Sequence, residues 1–158
     1  MPISWPTYRS RGGDALFQKR TSDHPHCELL RLVRTLRVAV VDDDAALCSA
    51  LANMVRSVGY QADTFLSAET LLMSDDLLHF ECVIADVRLT GISGLNLVSR
   101  LRDMGCRMPV ILMTALTDPR LDDEAFLVGA RCLLRKPFET QTLIDWIERS
   151  VSNERPIQ

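Results

Sequence analysis

Val38-Ala39-Val40-Val41-Asp42-Asp43-Asp44 sets four apolar residues directly against three aspartates. A short continuous apolar run suits a strand covered on both faces, because neither side of it meets water. Two more runs have this character: Cys82-Val83-Ile84-Ala85, followed by Asp86, and Val110-Ile111-Leu112-Met113, followed by Thr114. The segments between them carry helical spacing. Leu47, Leu51, Met54, Val55 and Val58 recur on one face, and Gly59 ends the series at a C′-like position. Leu95, Val98 and Leu101 form a stripe between Gly94 and Gly105, and Leu143, Ile144, Ile147 and Val151 form another.

Weaker signals fit the same alternation. Tyr60–Phe65 reads as an edge strand and Ser67–Ser74 as a helix capped by Ser67. Leu121–Val128 reads as a helix before Gly129, and Arg131–Arg135 as a last strand. Five strands alternating with five helices predict an α/β fold, a doubly wound five-stranded parallel sheet with helices on both faces. The flavodoxin-like strand order 2-1-3-4-5 sets the first and third strands side by side and the second at an edge.

In that arrangement the polar residues gather at one end. Asp42, Asp43 and Asp44 follow the first strand, Asp86 the third, Thr114 closes the fourth and Lys136 the fifth. Ligands of open parallel sheets bind outside these carboxyl ends. Converging carboxylates raise one another's pKa unless a cation lies among them, and oxygen-only ligands point to a hard ion, Mg²⁺. Carboxylate, divalent ion, ammonium and hydroxyl are together the parts that transfer a phosphoryl group onto an aspartate. Lysine usage agrees: the chain has two lysines, Lys19 and Lys136, against sixteen arginines. A compact ammonium suits a single phosphoryl oxygen. Asp44 reads as a helix N-cap rather than a ligand.

Composition bounds the rest. The 158 residues make room for one domain, and 47% hydrophobic with 25% charged residues is an ordinary globular balance. A net charge of −3 argues against a general nucleic-acid binder, and no direct nucleic-acid binding is expected. No apolar run approaches the ~18 residues of a membrane span, and the first 28 residues hold no signal-peptide core. Five cysteines, odd in number and far apart (Cys27, Cys48, Cys82, Cys106, Cys132), suit a reducing cytoplasm. Residues 1–37 carry seven basic and three acidic side chains, whereas 38–158 carry eleven and eighteen. Residues 1–35 are therefore expected to be a flexible basic extension, 36–151 the folded unit and 152–158 a short tail. Within the extension, Leu29–Val33 could form a short helix, and Asp23-His24-Pro25-His26-Cys27-Glu28 reads as a solvated segment rather than a metal site. Trp146 fits either a core edge or a partner contact.

Val-Val-Asp-Asp-Asp (40–44), Val-Ile-Ala-Asp-Val-Arg-Leu-Thr-Gly-Ile-Ser-Gly (83–94), Met-Thr-Ala (113–115) and Lys-Pro-Phe (136–138) together resemble the receiver domain of two-component response regulators. The resemblance spans about residues 36–151. It implies phosphorelay signalling, with Asp86 as phosphoacceptor for a sensor histidine kinase or phosphotransfer protein. It also implies Mg²⁺ held by Asp42, Asp43, Asp86 and the backbone carbonyl of Arg88. Thr114 would hydrogen-bond the phosphoryl group, Lys136 would ion-pair with it, and small Ala115 would leave it accessible. A cis Lys136–Pro137 peptide is expected, as is output to a protein partner or homodimer through the fourth helix, fifth strand and fifth helix. Such a module phosphorylates itself but is not a metabolic enzyme.

The chain departs from the family pattern in four places. Leu133 stands where an aromatic residue is frequent, and Thr90 where a proline is frequent, which predicts a looser loop after Asp86. Leu116 is apolar and would slow access of hydrolytic water. No DNA-reading helix-turn-helix is legible, which suggests a single-domain or separated receiver. Two other readings compete. One is a degenerate receiver that binds partners without phosphorylation. The other is a haloacid-dehalogenase-like aspartyl-phosphate phosphatase, suggested by the Asp-x-Asp spacing of Asp42 and Asp44 but opposed by Ala45-Ala46 and the lack of a late acidic motif.

Overall fold

β1 (Arg37–Val41), β2 (Gln61–Phe65), β3 (Cys82–Asp86), β4 (Val110–Thr114) and β5 (Cys132–Arg135) form one sheet in the order β2-β1-β3-β4-β5. Every pairing is parallel. The structure is a computed structural model, and it describes residues 35–152. Between the strands run α1 (Ala45–Ser57), α2 (Ala68–Leu72), α3 (Gly94–Asp103), α4 (Arg120–Val128) and α5 (Thr140–Ser152). The expected doubly wound fold and strand order are both present. The basic extension, the helix over Leu29–Val33, the segment Asp23–Glu28 and Cys27 lie outside the described residues, as does the tail beyond residue 152.

Alternation along each strand divides the core in two. Ala39, Val41, Val83, Ala85, Val110, Leu112 and Leu133 face one side, where Leu71 of α2, Leu97, Val98 and Leu101 of α3 and Leu121 and Ala125 of α4 cover them. Val38, Val40, Ile84, Ile111, Met113 and Leu134 face the other, beneath Leu51 and Val55 of α1 and Leu143, Ile144 and Ile147 of α5. Fully burying each large aliphatic side chain stabilises the fold by about 1.5–3 kcal/mol. Strands apolar on both faces are therefore held by two helical layers. Trp146 joins the α5 side of this core at 6% exposure, with the Arg149 guanidinium over its ring. Cys48, Cys82, Cys106 and Cys132 are all buried. Among the described residues no helix is long and apolar enough to cross a membrane.

Helix ends follow local chemistry. Asp44 caps α1 by accepting the Ala46 and Leu47 N–H groups, Ser67 caps α2 through Thr70, and Ser93 caps α3 through Asn96. The second helix is shorter than expected, ending at Leu72 instead of Ser74. The Ser74 hydroxyl accepts the Asp76 N–H at 3.2 Å, and the chain then turns into a single 3-10 turn at Leu77–His79 that seats Leu77 in the core. At β1, Arg37 donates to Asp63 and Asp76 and lies over the Phe80 ring, tying the non-functional end of the sheet to this turn.

Candidate functional site

The carboxyl ends of β1, β3, β4 and β5 bring together residues that the chain keeps far apart. Val41 of β1 is in register with Ala85 of β3, so Asp42 and Asp86 leave neighbouring strands side by side. Lys136 Nζ donates to Asp86 Oδ2 at 2.6 Å and stands 3.6 Å from Asp42 Oδ2. The peptide joining Lys136 to Pro137 is cis, as expected. Lys136 is itself held by its N–H, which donates to the Thr114 carbonyl at 2.7 Å.

Asp42 is almost wholly buried, at 2% exposure. Its Oδ1 accepts the Asp44 N–H at 2.9 Å, while Oδ2 is buried without a hydrogen-bond partner. Burial pushes the Asp42 carboxyl above the ordinary carboxylate range, and Asp86 and Asp43 push it further, against the Asp44 N–H and the Lys136 ammonium. A buried carboxylate oxygen with no hydrogen-bond donor, among acidic neighbours and oxygen ligands only, fits a hard divalent cation that retains several waters. Among the described residues no three His, Cys, Asp or Glu side chains stand close enough to form a ready-made metal cage. Asp43 Oδ2 accepts both the N–H and the hydroxyl of Thr90, at 3.1 and 3.0 Å.

The loop after β3 is pinned along its length. Asp86 Oδ1 accepts the Arg88 N–H at 2.9 Å, Glu69 Oε1 accepts the Ile92 N–H at 2.9 Å, and the Gly94 N–H donates to the Val87 carbonyl. Thr90, expected to loosen this loop, supplies the N–H and the hydroxyl that grip Asp43, and a proline offers neither. Gly94 is a matter of space. A Cβ there would overlap the Asp86 carbonyl oxygen and lie 3.0 Å from Val87 Cα.

Thr114 is fully buried, and its Oγ1 accepts the Leu116 N–H at 3.0 Å, leaving its own hydroxyl hydrogen to donate. Ala115 is exposed beside it. Leu133, at the position where an aromatic is frequent, is buried in the core. Arg135 was not anticipated from the sequence. Its guanidinium donates to the Leu116 and Asp118 carbonyls and to Asp122 Oδ2, clamping the loop after β4 and the start of α4. Thr90, Glu69 and Arg135 reach partners 47, 23 and up to 19 positions away, distances at which no sequence pattern signals a pairing.

Comparison with known proteins agrees with this geometry. The family described as "Response regulator receiver domain" matches residues 38–148. The transcriptional regulatory protein FixJ of Bradyrhizobium diazoefficiens is 34% identical over 119 residues, covering 75% of this chain and 58% of FixJ. The transcriptional regulatory protein TdiR of Thauera aromatica is 33% identical, covering 75% of this chain and 52% of TdiR. A crystal structure titled FixJ-N superimposes with a TM-score of 0.70 at 29% identity, covering 78% of this chain and 99% of that one.

These relatives overturn one expectation. The chain spans little more than half the length of two proteins named as transcriptional regulators, and the matched stretch is only their receiver part. The expected partner set, with output confined to a protein partner or homodimer and no direct nucleic-acid binding, is therefore corrected. It was inferred from the charge and motifs of these residues alone, whereas the relatives' named role is a property of longer chains. With strand order, acidic pair and strand-end lysine in place, and the family matched over residues 38–148, the chain belongs to the response regulator receiver domain family.

Proposed function

We propose that this unit, residues 36–151, works in a cytoplasmic phosphorelay by accepting a phosphoryl group from a phosphohistidine donor onto Asp86. The observation that carries the proposal is the Lys136 ammonium, 2.6 Å from Asp86 and 3.6 Å from buried Asp42 at the carboxyl end of a parallel sheet. One Asp86 carboxylate oxygen forms the new O–P bond in line as the donor's N–P bond breaks, and the imidazole leaves with that electron pair. Asp42, Asp43, Asp86 and the Arg88 carbonyl would hold Mg²⁺, which supplies charge neutralisation for the phosphoryl oxygens. Lys136 exchanges its Asp86 contact for a phosphoryl oxygen, a role that suits a compact point charge. Thr114 donates its hydroxyl hydrogen to another oxygen.

The test is intact-mass spectrometry after incubation with acetyl phosphate, with and without Mg²⁺, beside Asp86→Asn. A single phosphoryl increment that requires both Mg²⁺ and Asp86 is expected. An Asp86→Asn protein that gains phosphoryl groups as readily as wild type would sink the assignment, and a folded wild type that gains none from acetyl phosphate or a purified kinase would favour a binding-only receiver.

A further inference from the structure

Asp43 does not face the site freely. Two donors from a single residue, the Thr90 N–H and hydroxyl, converge on its Oδ2 at 3.1 and 3.0 Å across 47 positions of chain. A carboxylate oxygen offers two lone-pair sites, so a cation binding through this oxygen has to displace one of the two donors. Both residues are exposed, so the pairing is not imposed by a surrounding core.

We propose that Thr90 is a positioning residue that competes with Mg²⁺ for the Asp43 carboxylate. The inference rests on the reading of Asp43 as a metal ligand. In the metal-free protein, Thr90 holds Asp43 and, through it, the loop between β3 and α3. Asp43 turned to hold Mg²⁺ would leave Thr90 and free the middle of the loop, while Asp86 Oδ1 and Glu69 anchor its flanks at Arg88 and Ile92. Residue 90 thereby sets metal affinity and couples it to loop freedom. A proline at this position could do neither, having no N–H and no hydroxyl.

The experiment is Mg²⁺ titration of the unphosphorylated chain by calorimetry, with wild type, Thr90→Val, Thr90→Ser and Asp43→Asn. Amide exchange at residue 90 is followed by NMR with and without Mg²⁺. Thr90→Val, which loses the hydroxyl but keeps the shape, is expected to bind Mg²⁺ about two- to tenfold more tightly, the net range of one ordinary hydrogen bond at an exposed site. Thr90→Ser should restore wild-type affinity, and Mg²⁺ should speed exchange of the wild-type Thr90 amide. Unchanged or weaker binding by Thr90→Val, with Asp43→Asn clearly impaired, overturns the competition while leaving Asp43 a ligand. Unchanged binding by Asp43→Asn overturns the ligand reading and the competition with it.

Discussion

Lys136 Nζ lies 2.6 Å from Asp86 Oδ2 and 3.6 Å from Asp42 Oδ2, so one ammonium neutralises carboxylates from two neighbouring strands. The Lys136 and Asp86 side chains are only 21% and 14% exposed, and Asp42 only 2%. Solvent therefore screens the three charges poorly, and salt in the buffer should affect them less than surface pairs.

Lys136→Gln should accordingly destabilise the metal-free protein by about 1.5–3 kcal/mol at neutral pH, the range for a charge-assisted hydrogen bond lost from a poorly solvated site. Urea denaturation of both proteins measures it. Equal midpoints would mean that the lysine adds nothing to the fold and is held there for chemistry alone.

Asp42 carries a distinct pH signature. Burial and its acidic neighbours raise its folded-state pKa above the ordinary 3.8. Stability from this group is thus complete below the unfolded value and is lost as pH rises through the folded one. Asp42→Asn keeps an oxygen for the Asp44 N–H and does not titrate. Its stability relative to wild type should grow as pH rises above the ordinary 3.8 in metal-free buffer. Mg²⁺ should stabilise wild type more than the variant. A stability difference that stays flat with pH would remove Asp42 as the strained carboxylate.

Gly94→Ala should cost about 1–3 kcal/mol through overpacking and should shift the backbone amide signal of Asp86. Gly105→Ala is the control. It has open space around it but a left-handed φ of +79°, so it should lose stability without disturbing Asp86. If both variants left the Asp86 signal in place, Gly94 would have no part in shaping the site.

Arg135→Gln should free the loop after β4. Loss of the three guanidinium contacts to Leu116, Asp118 and Asp122 predicts about tenfold faster amide exchange over residues 116–118, matching roughly one charged hydrogen bond of local stability. Hydrogen-exchange mass spectrometry reports it directly. Exchange confined to the rate of wild type would show the loop held by Leu116 packing instead.

Much of this molecule was legible from one dimension. Val38–Val41 and Cys82–Ala85 are apolar on both faces, so only a sheet covered by helices on each side can bury them, and period-3.6 stripes such as Leu143, Ile144 and Ile147 supply the cover. Those rules are local, which is why the strands, the five helices and the Asp44 and Ser67 caps could be read before any coordinates, whereas the strand order came from likeness to a known doubly wound pattern. The gathering of Asp42, Asp86, Thr114 and Lys136 then followed from strand ends taken together with that order. The pairings within that gathering could not be read in this way. Thr90 on Asp43, Glu69 on the Ile92 amide, Arg135 on the loop after β4 and Thr114 turned to the Leu116 N–H depend on where loops cross and which rotamer each side chain adopts. Hydrophobic periodicity determines which face of an element is buried. Directional hydrogen bonds between loops are decided only when the packed elements bring particular donors within about 3 Å of particular acceptors.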